Sequence, residues 1–323
     1  MSDAEVDRFF GDTVDMVVPH SLDGERVDRV VAMASGRSRA EVREILRSGA
    51  ASLDGLVVTK DSLALREGSH LFVRLPELRG DDVEPDGSVP LEVALEDRHF
   101  LVVNKAPGQV VHPSAGRREA TLVAGVIARY PEVAELGAVG LCSPERPGVV
   151  HRLDRGTSGL LVFARTPAAL ASLGAQLRDR TVTRQYVALV QGHLANDHGV
   201  VDAPIGRSAR QPTLMAVRSD GRPARTAYDV VARFNGPDPV SLLSLHLETG
   251  RTHQIRVHMA SIGHPLVNDL RYGHHRDDRL DPERFFLHSA SLGFRHPDGG
   301  QWVETSAPLP EDLRATLPAN VAP

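Results

Sequence analysis

Apolar residues change their spacing several times along the chain, and each change marks an element. Val27, Val30 and Val31 recur at helical spacing within 26–33. A second helix is predicted over 39–47, where Val42, Ile45 and Leu46 form an apolar face. Arg39, Arg43 and Arg47 fall at i, i+4 and i+8, one stripe on the opposite side. Ser38, with Glu41 three residues on, reads as a capping box, and Gly49 as the stop. Alternating segments follow at 51–53 and 56–58, joined by Asp54-Gly55, a hairpin signal, and then at 70–75. Residues 77–90 are acidic, rich in Pro and Gly and without apolar period, and read as a linker.

Beyond position 90 the pattern is strand-rich. Strands are predicted at 99–104, 148–153, 158–165, 184–191, 224–232, 240–248 and 286–294, and helices at 120–130, 168–180 and 252–262. Strands and helices do not alternate regularly, which favours α+β over a doubly wound sheet. The expected organisation is a tail at 1–20, a small unit at 21–76, the linker at 77–90 and a large domain at 91–323. Within the predicted helix from 252, Ile255, Met259 and Ile262 share a core face, and Arg251, Gln254 and His258 form a polar face suited to anionic groups.

Composition narrows the function classes. With 323 residues and 41% hydrophobic content, the chain can bury a sizeable core. Its single cysteine, Cys142, rules out an internal disulfide and a thiolate zinc site. No stretch approaches the roughly 18 to 20 apolar residues of a membrane span. Residues 1–15 lack a basic start followed by an apolar run, so no export signal is expected and a cytoplasmic setting is. The net charge of −5 is uneven: five acids face one base in 1–15 and eight face two in 77–98, leaving +5 over the rest. That distribution permits a nucleic-acid surface without requiring one.

The most informative stretch is 149–165, where two apolar segments flank a polar turn carrying His151, Arg152, Asp154, Arg155, Thr157 and Ser158. A carboxylate set between two arginines is expected to stay charged and available as nucleophile or base. The 15 histidines do not make a metal site: His253 and His258 are five apart, no His-Glu-x-x-His occurs, and His274-His275 sits in a polar loop. Gly156-Thr-Ser-Gly159 is not a hydrolase elbow, and no phosphate-cradling loop ends in Lys-Ser/Thr.

Two resemblances add to this reading. The basic helix followed by Leu53-Asp54-Gly55 and Leu65-Arg66-Glu67-Gly68 resembles the S-four RNA-binding domain over nearly all of 22–76. His151-Arg-Leu-Asp154 with Thr157-Ser-Gly-Leu160 resembles the central motif of the RluA/RluD family of pseudouridine synthases. Val102-Val-Asn-Lys-Ala-Pro-Gly108 with His112-Pro-Ser-Ala-Gly116 does so too, as do 184–192, 250–258 and 263–273, in the family's order. The leading S-four-like unit and His112-Pro113 look most like the RluD branch, which modifies large-subunit rRNA. Arg155-Gly156 stands where many members have Lys-Asp, and Asn268 where Gly is usual.

The resemblance implies an α+β chain: an S-four-like domain, then a catalytic domain on a mixed, mainly antiparallel sheet with flanking helices. It implies roles as well. Asp154 matches the catalytic aspartate. Tyr186 matches the tyrosine that packs on the target base and is offered for proton removal from carbon 5. Arg251 matches the basic residue paired with the aspartate, and Arg152 the arginine that fills the gap left by a flipped base. His151, Arg155, His253 and Gln254, with Arg39, Arg43 and Arg47, are the expected RNA contacts. A carboxylate can add to the sugar or the ring, or remove the 2′ proton, and the sequence leaves these routes open. No metal or other cofactor is expected; the partner is structured RNA, rRNA ahead of tRNA, and the chain is expected to be a monomer. Singly, Asp154 reads as a turn former, Tyr186 as core and Arg251 as a surface ion pair. A catalytically silent RNA-binding assembly protein is the rival class, and the joint presence of Asp154, Tyr186 and Arg251 argues against it.

Overall fold

The computed structural model describes residues 13–35, 39–75, 83–113, 120–211, 213–274 and 276–317. The chain divides into two compact units, Met1–Asp81 and Asp82–Pro323. The first contains β1 (Thr13–Val17), α1 (Val27–Ser35), α2 (Arg39–Arg47), β2 (Ala51–Leu53), β3 (Leu56–Val57) and β4 (His70–Arg74). Its sheet runs β1-β4-β2-β3, antiparallel throughout. The β2–β3 hairpin turns on Asp54 and Gly55, both at positive φ, as a tight turn requires. Val42, Ile45 and Leu46 of α2 are buried beside Val27, Val30 and Val31 of α1. Arg43 and Arg47 are exposed, the latter 2.6 Å from Glu44. The capping pair Ser38/Glu41 and the side chain of Arg39 lie outside the described residues.

The segment 1–20 is not simply a tail. β1 pairs with β4 over its whole length and buries Val14, while Asp15 on the exposed side meets His70 at 2.6 Å. The segment 77–90 is not linker throughout either. Val89 is buried against Gly125, where an added Cβ would come within 3.0 Å of it, and Val83 packs on the core of the second unit.

The second unit is built on a nine-stranded mixed sheet. Its strands are β5 (Val93–Glu96), β6 (Phe100–Lys105), β7 (Ser158–Ala164), β8 (Thr183–Gln191), β9 (His198–Asp202), β12 (Arg225–Phe234), β13 (Val240–Leu247), β14 (Leu287–Arg295) and β15 (Trp302–Ser306). The order is β5-β6-β7-β14-β8-β13-β12-β9, with β15 also on β14, and all pairs are antiparallel except β7–β14. A small ribbon, β10 (Ile205–Arg207) and β11 (Met215–Val217), stands beside it. On one face, α3 (Leu122–Arg129) and α6 (Gln254–Ser261) cover Leu101, Leu161 and Tyr186. On the other, α5 (Pro167–Arg178) covers Phe100, Val102 and Leu160. Two further helices, α4 (Glu132–Ala138) and α7 (Glu311–Arg314), complete the unit.

No strand forms at 148–153. Gly148 takes φ 70° with its Cα against the Ala164 carbonyl, and only Val149 keeps a bridge, to Phe163. Freed from the ladder, 151–157 becomes a loop held by cations on its backbone. Lys105, fully buried, donates to the carbonyls of Ala106, Gln109 and Arg155 at 2.8, 3.0 and 3.1 Å. Arg284 donates to the Gly156 carbonyl at 2.6 Å and the Ser158 hydroxyl at 2.8 Å, and is held by Asp312 at 2.7 Å. Burial, then Arg284, pulls the Lys105 ammonium down to about 7, with Asp154 opposing.

The loop enters β7 through Gly159, at φ 109°, where the parallel β7–β14 pair begins. A Cβ there would lie 2.2 Å from the Ser289 carbonyl oxygen. Backbone strain and overpacking should each cost about 1–3 kcal/mol. Gly159→Ala is therefore expected to lower Tm by on the order of 10 °C, at about 2–4 °C per kcal/mol in a unit this size. A thermal melt within 2 °C of wild type, a margin of roughly 1 kcal/mol, would show that β14 yields at little cost.

Candidate active site

Two adjoining cavities of about 580 Å³ each meet at the 151–157 loop, and Asp154, Arg152, His112, His253 and Arg256 line both. The Asp154 carboxylate is partly open, with 17% of its side chain exposed. The partner facing it is Arg256 on α6, whose Nη1 lies 3.4 Å from Oδ2. Arg256 is otherwise immobilised. Its Nε and Nη2 donate to the two oxygens of buried Asp269 at 2.6 and 2.8 Å. Its guanidinium sits over the rings of Phe285 and Tyr272, 4.2 and 5.0 Å from their centroids. Burial pulls the Arg256 pKa down, but Asp269 and then Asp154 more than offset that, and the net shift is upward. One N–H face thus remains for Asp154, aimed by three neighbours, Asp269, Phe285 and Tyr272.

This corrects the pairing expected of Arg251. Its Nε donates to the Pro223 carbonyl at 3.0 Å, and its side chain lines only the first cavity without touching Asp154. The helix begins at Gln254, not 252, because His253 takes the left-handed conformation at φ 57°. That turn carries Arg256 towards Asp154. It also reassigns the polar face. Gln254 is buried, with Oε1 accepting from Thr249 and the Arg251 N–H and Nε2 donating to the Arg225 carbonyl and Thr226. His258 is buried too, bonded to Thr226 and the Ala203 carbonyl. Both clamp α6 to β12 with their polar side-chain atoms bonded within the protein, Gln254 at the wall of the first cavity. Ile262, expected in the core, is 39% exposed.

The remaining site residues divide. Tyr186 on β8 is buried and lines the first cavity; burial pushes its phenol up, so it holds its proton. His253 meets the Tyr272 hydroxyl at 2.7 Å, and that hydroxyl also accepts the Met215 N–H at 3.0 Å. Arg152 is exposed at the junction of the cavities, with no hydrogen bond or ion pair among the described residues. Arg155 donates to the Gly108 carbonyl at 3.1 Å and lies 3.3 Å from Glu283, on the second cavity. His151 accepts the Val162 N–H on Nε2, and burial with Arg184 nearby pulls it down to about 3. It is a neutral strut of the loop, not a cationic RNA contact. Sequence reasoning passed over Arg256, Asp269 and Tyr272, although all three lie within the stretches 250–258 and 263–273 that carried the resemblance.

Residues 99–261 match the family described as RNA pseudouridylate synthase. The uncharacterized RNA pseudouridine synthase YlyB of Bacillus subtilis is 40% identical over 303 residues, 93% of this chain and 95% of the relative. The ribosomal large subunit pseudouridine synthase D of Xanthomonas campestris is 42% identical over 315 residues, 94% and 91% of the two chains. Among solved structures, human RNA pseudouridylate synthase domain containing 1 superposes with a TM-score of 0.54 at 32% identity, covering 70% of this chain and 86% of its own. The matched span runs through Asp154, Tyr186 and Arg256, and the chain belongs to the RNA pseudouridine synthase family, an isomerase that converts uridine in RNA to pseudouridine.

Proposed function

We propose that the substrate is large-subunit ribosomal RNA and that Asp154 is the catalytic group, oriented by Arg256, with Tyr186 as the platform for the detached base. The observation that carries this reading is the Asp154–Arg256 pair at the mouth of a cavity walled by Tyr186. The reaction breaks the bond from carbon 1′ to N1, turns the uracil, and joins carbon 1′ to carbon 5. The carbon 5 proton leaves, and N1 takes one up. A stacked base cannot be reached in place, so it is extruded at a cost of about a few kcal/mol. Asp154 touches the sugar or ring once the base is in the cavity. The raised pKa of Tyr186 favours stacking over proton removal as its role. Arg152, exposed at the cavity and unbonded among the described residues, is the proposed filler of the space the base leaves.

The large-subunit choice is supported by relatives that carry that name, at 42% identity in Xanthomonas campestris and 40% in Zymomonas mobilis. The first unit is the proposed S-four-like RNA-binding module, its contact surface the exposed face of α2 with Arg43 and Arg47. The protein acts as a cytoplasmic monomer in this reading.

Pseudouridine mapping of total RNA from cells whose sole copy carries Asp154→Asn should show specific large-subunit rRNA positions lost at unchanged protein level. Loss of tRNA positions instead would move the substrate, and loss of none would remove Asp154 from the chemistry. Arg256→Lys keeps a cation beside Asp269 but cannot fork to two carboxylates, so kcat should fall on the order of 10²-fold while the protein stays folded. Wild-type turnover in that variant would make the Asp154 contact incidental. Arg43→Glu with Arg47→Glu should weaken RNA binding at low salt about tenfold or more without lowering Tm, since these side chains face solvent. Unchanged affinity would remove α2 from the RNA-binding surface.

A further inference from the structure

The first cavity holds more positive charge than the Asp154 chemistry uses. Besides Arg152 and Arg256 it is lined by Arg146, Arg178, Arg184 and Arg251, and among the described residues Asp154 is its one acidic wall residue. None of those four has a carboxylate partner among the described residues. Arg184 is the most confined, 6% exposed on β8. Its Nη2 donates to the Leu247 carbonyl at a long 3.3 Å, and its Nε has no hydrogen-bond partner among the described residues. A buried guanidinium left this way is costly unless something binds it.

The surroundings are shaped to keep it there. A Cβ on Gly250 would come within 2.9 Å of Arg184 Nη1, so glycine at 250 lets the guanidinium tip lie close against that turn. Arg184 and Tyr186 are two residues apart and line the same cavity, which sets them about 6.6 Å apart along the strand. We propose that Arg184 is the floor of a phosphate subsite, taking a backbone phosphodiester that flanks the uridine whose base rests on Tyr186. This rests on the reading of RNA as substrate. A uracil carbonyl would satisfy one N–H and leave the charge. A phosphate offers two oxygens to the planar fork and compensates the cations around it. Burial already pulls the Arg184 pKa down, the direction expected of a cation waiting for its anion.

The test is the salt dependence of binding, with the full chain and an unmodified large-subunit rRNA transcript, for wild type, Arg184→Lys and Arg184→Gln. Every phosphate that the protein no longer neutralises lowers the slope of log affinity against log salt by about 0.7 to 0.9. Arg184→Gln should show that smaller slope and bind about 10- to 100-fold more weakly at low salt, whereas Arg184→Lys should keep the wild-type slope. If turnover falls in Arg184→Gln with the slope unchanged, Arg184 serves a neutral group or the fold, and the phosphate subsite is wrong. If Arg184→Gln does not fold, Arg184→Met keeps the apolar stem and removes the charge. The same drop in slope is expected there, and an unchanged slope overturns the proposal. If wild type forms no pseudouridine in this transcript or in cellular RNA, the underlying reading falls first, and the subsite with it.

Discussion

The geometry of the candidate site hangs on one guanidinium. Arg256 is bound by both oxygens of Asp269, sandwiched by Phe285 and Tyr272, and reaches Asp154 with the nitrogen that remains. A buried bidentate pair is strong in orientation even where its net stabilisation is small, because desolvation offsets much of the attraction. Its value is directional. Asp269 fixes where Arg256 points, and Arg256 engages Oδ2 of Asp154 and leaves Oδ1 without that contact. Removing Asp269 would leave a buried cation against Asp154 with only the rings of Phe285 and Tyr272 to hold it.

The loop carrying Asp154 is held by the same kind of contact in reverse, with cations on backbone carbonyls. Lys105 gathers three carbonyls, one of them from Arg155, and Arg284 takes the carbonyl of Gly156. A segment of 151–157 without ladder hydrogen bonds would otherwise expose buried acceptors. The chain thus trades strand pairing for side-chain donors at the point where a carboxylate must project, and both donors come from outside the loop.

Much of this was legible from the sequence, for physical reasons that differ by residue. Apolar runs disclosed β6, β7, β8, β12, β13 and β14, β7 being covered on both faces, whereas the short β9, β10 and β11 went unread. Asp154 and Tyr186 were found through ordered motifs. The resemblance was carried onto Arg251, the first arginine of 250–258, and Arg256 was passed over; the helix projected from 252 did not correct this, since no spacing rule announces that His253 will take a left-handed turn. Gln254 looked exposed on that projection and is buried for the same reason. β1 was hidden by acids in a segment that reads as a tail, where only the alternation of Val14 and Met16 betrays a strand. The strand expected at 148–153 failed on Gly148, whose conformation a run of valines does not reveal.

Strand order also bears on how the protein is made. β7 and β8 follow one another in sequence, yet β14 lies between them, contributed about a hundred residues later. Until 287–295 leave the ribosome, both strands keep an unpaired edge, and the cavity between the Asp154 loop and Tyr186 lacks its shared neighbour. Non-local closure of this kind is slow, because the chain gives up its entropy before the pairing that compensates for it has formed. Open apolar edges invite misassembly meanwhile. Assembly of the sheet's centre, and of the site with it, is therefore among the last events of synthesis, and truncation between β8 and β14 leaves a fragment with two sticky borders and an unfinished site.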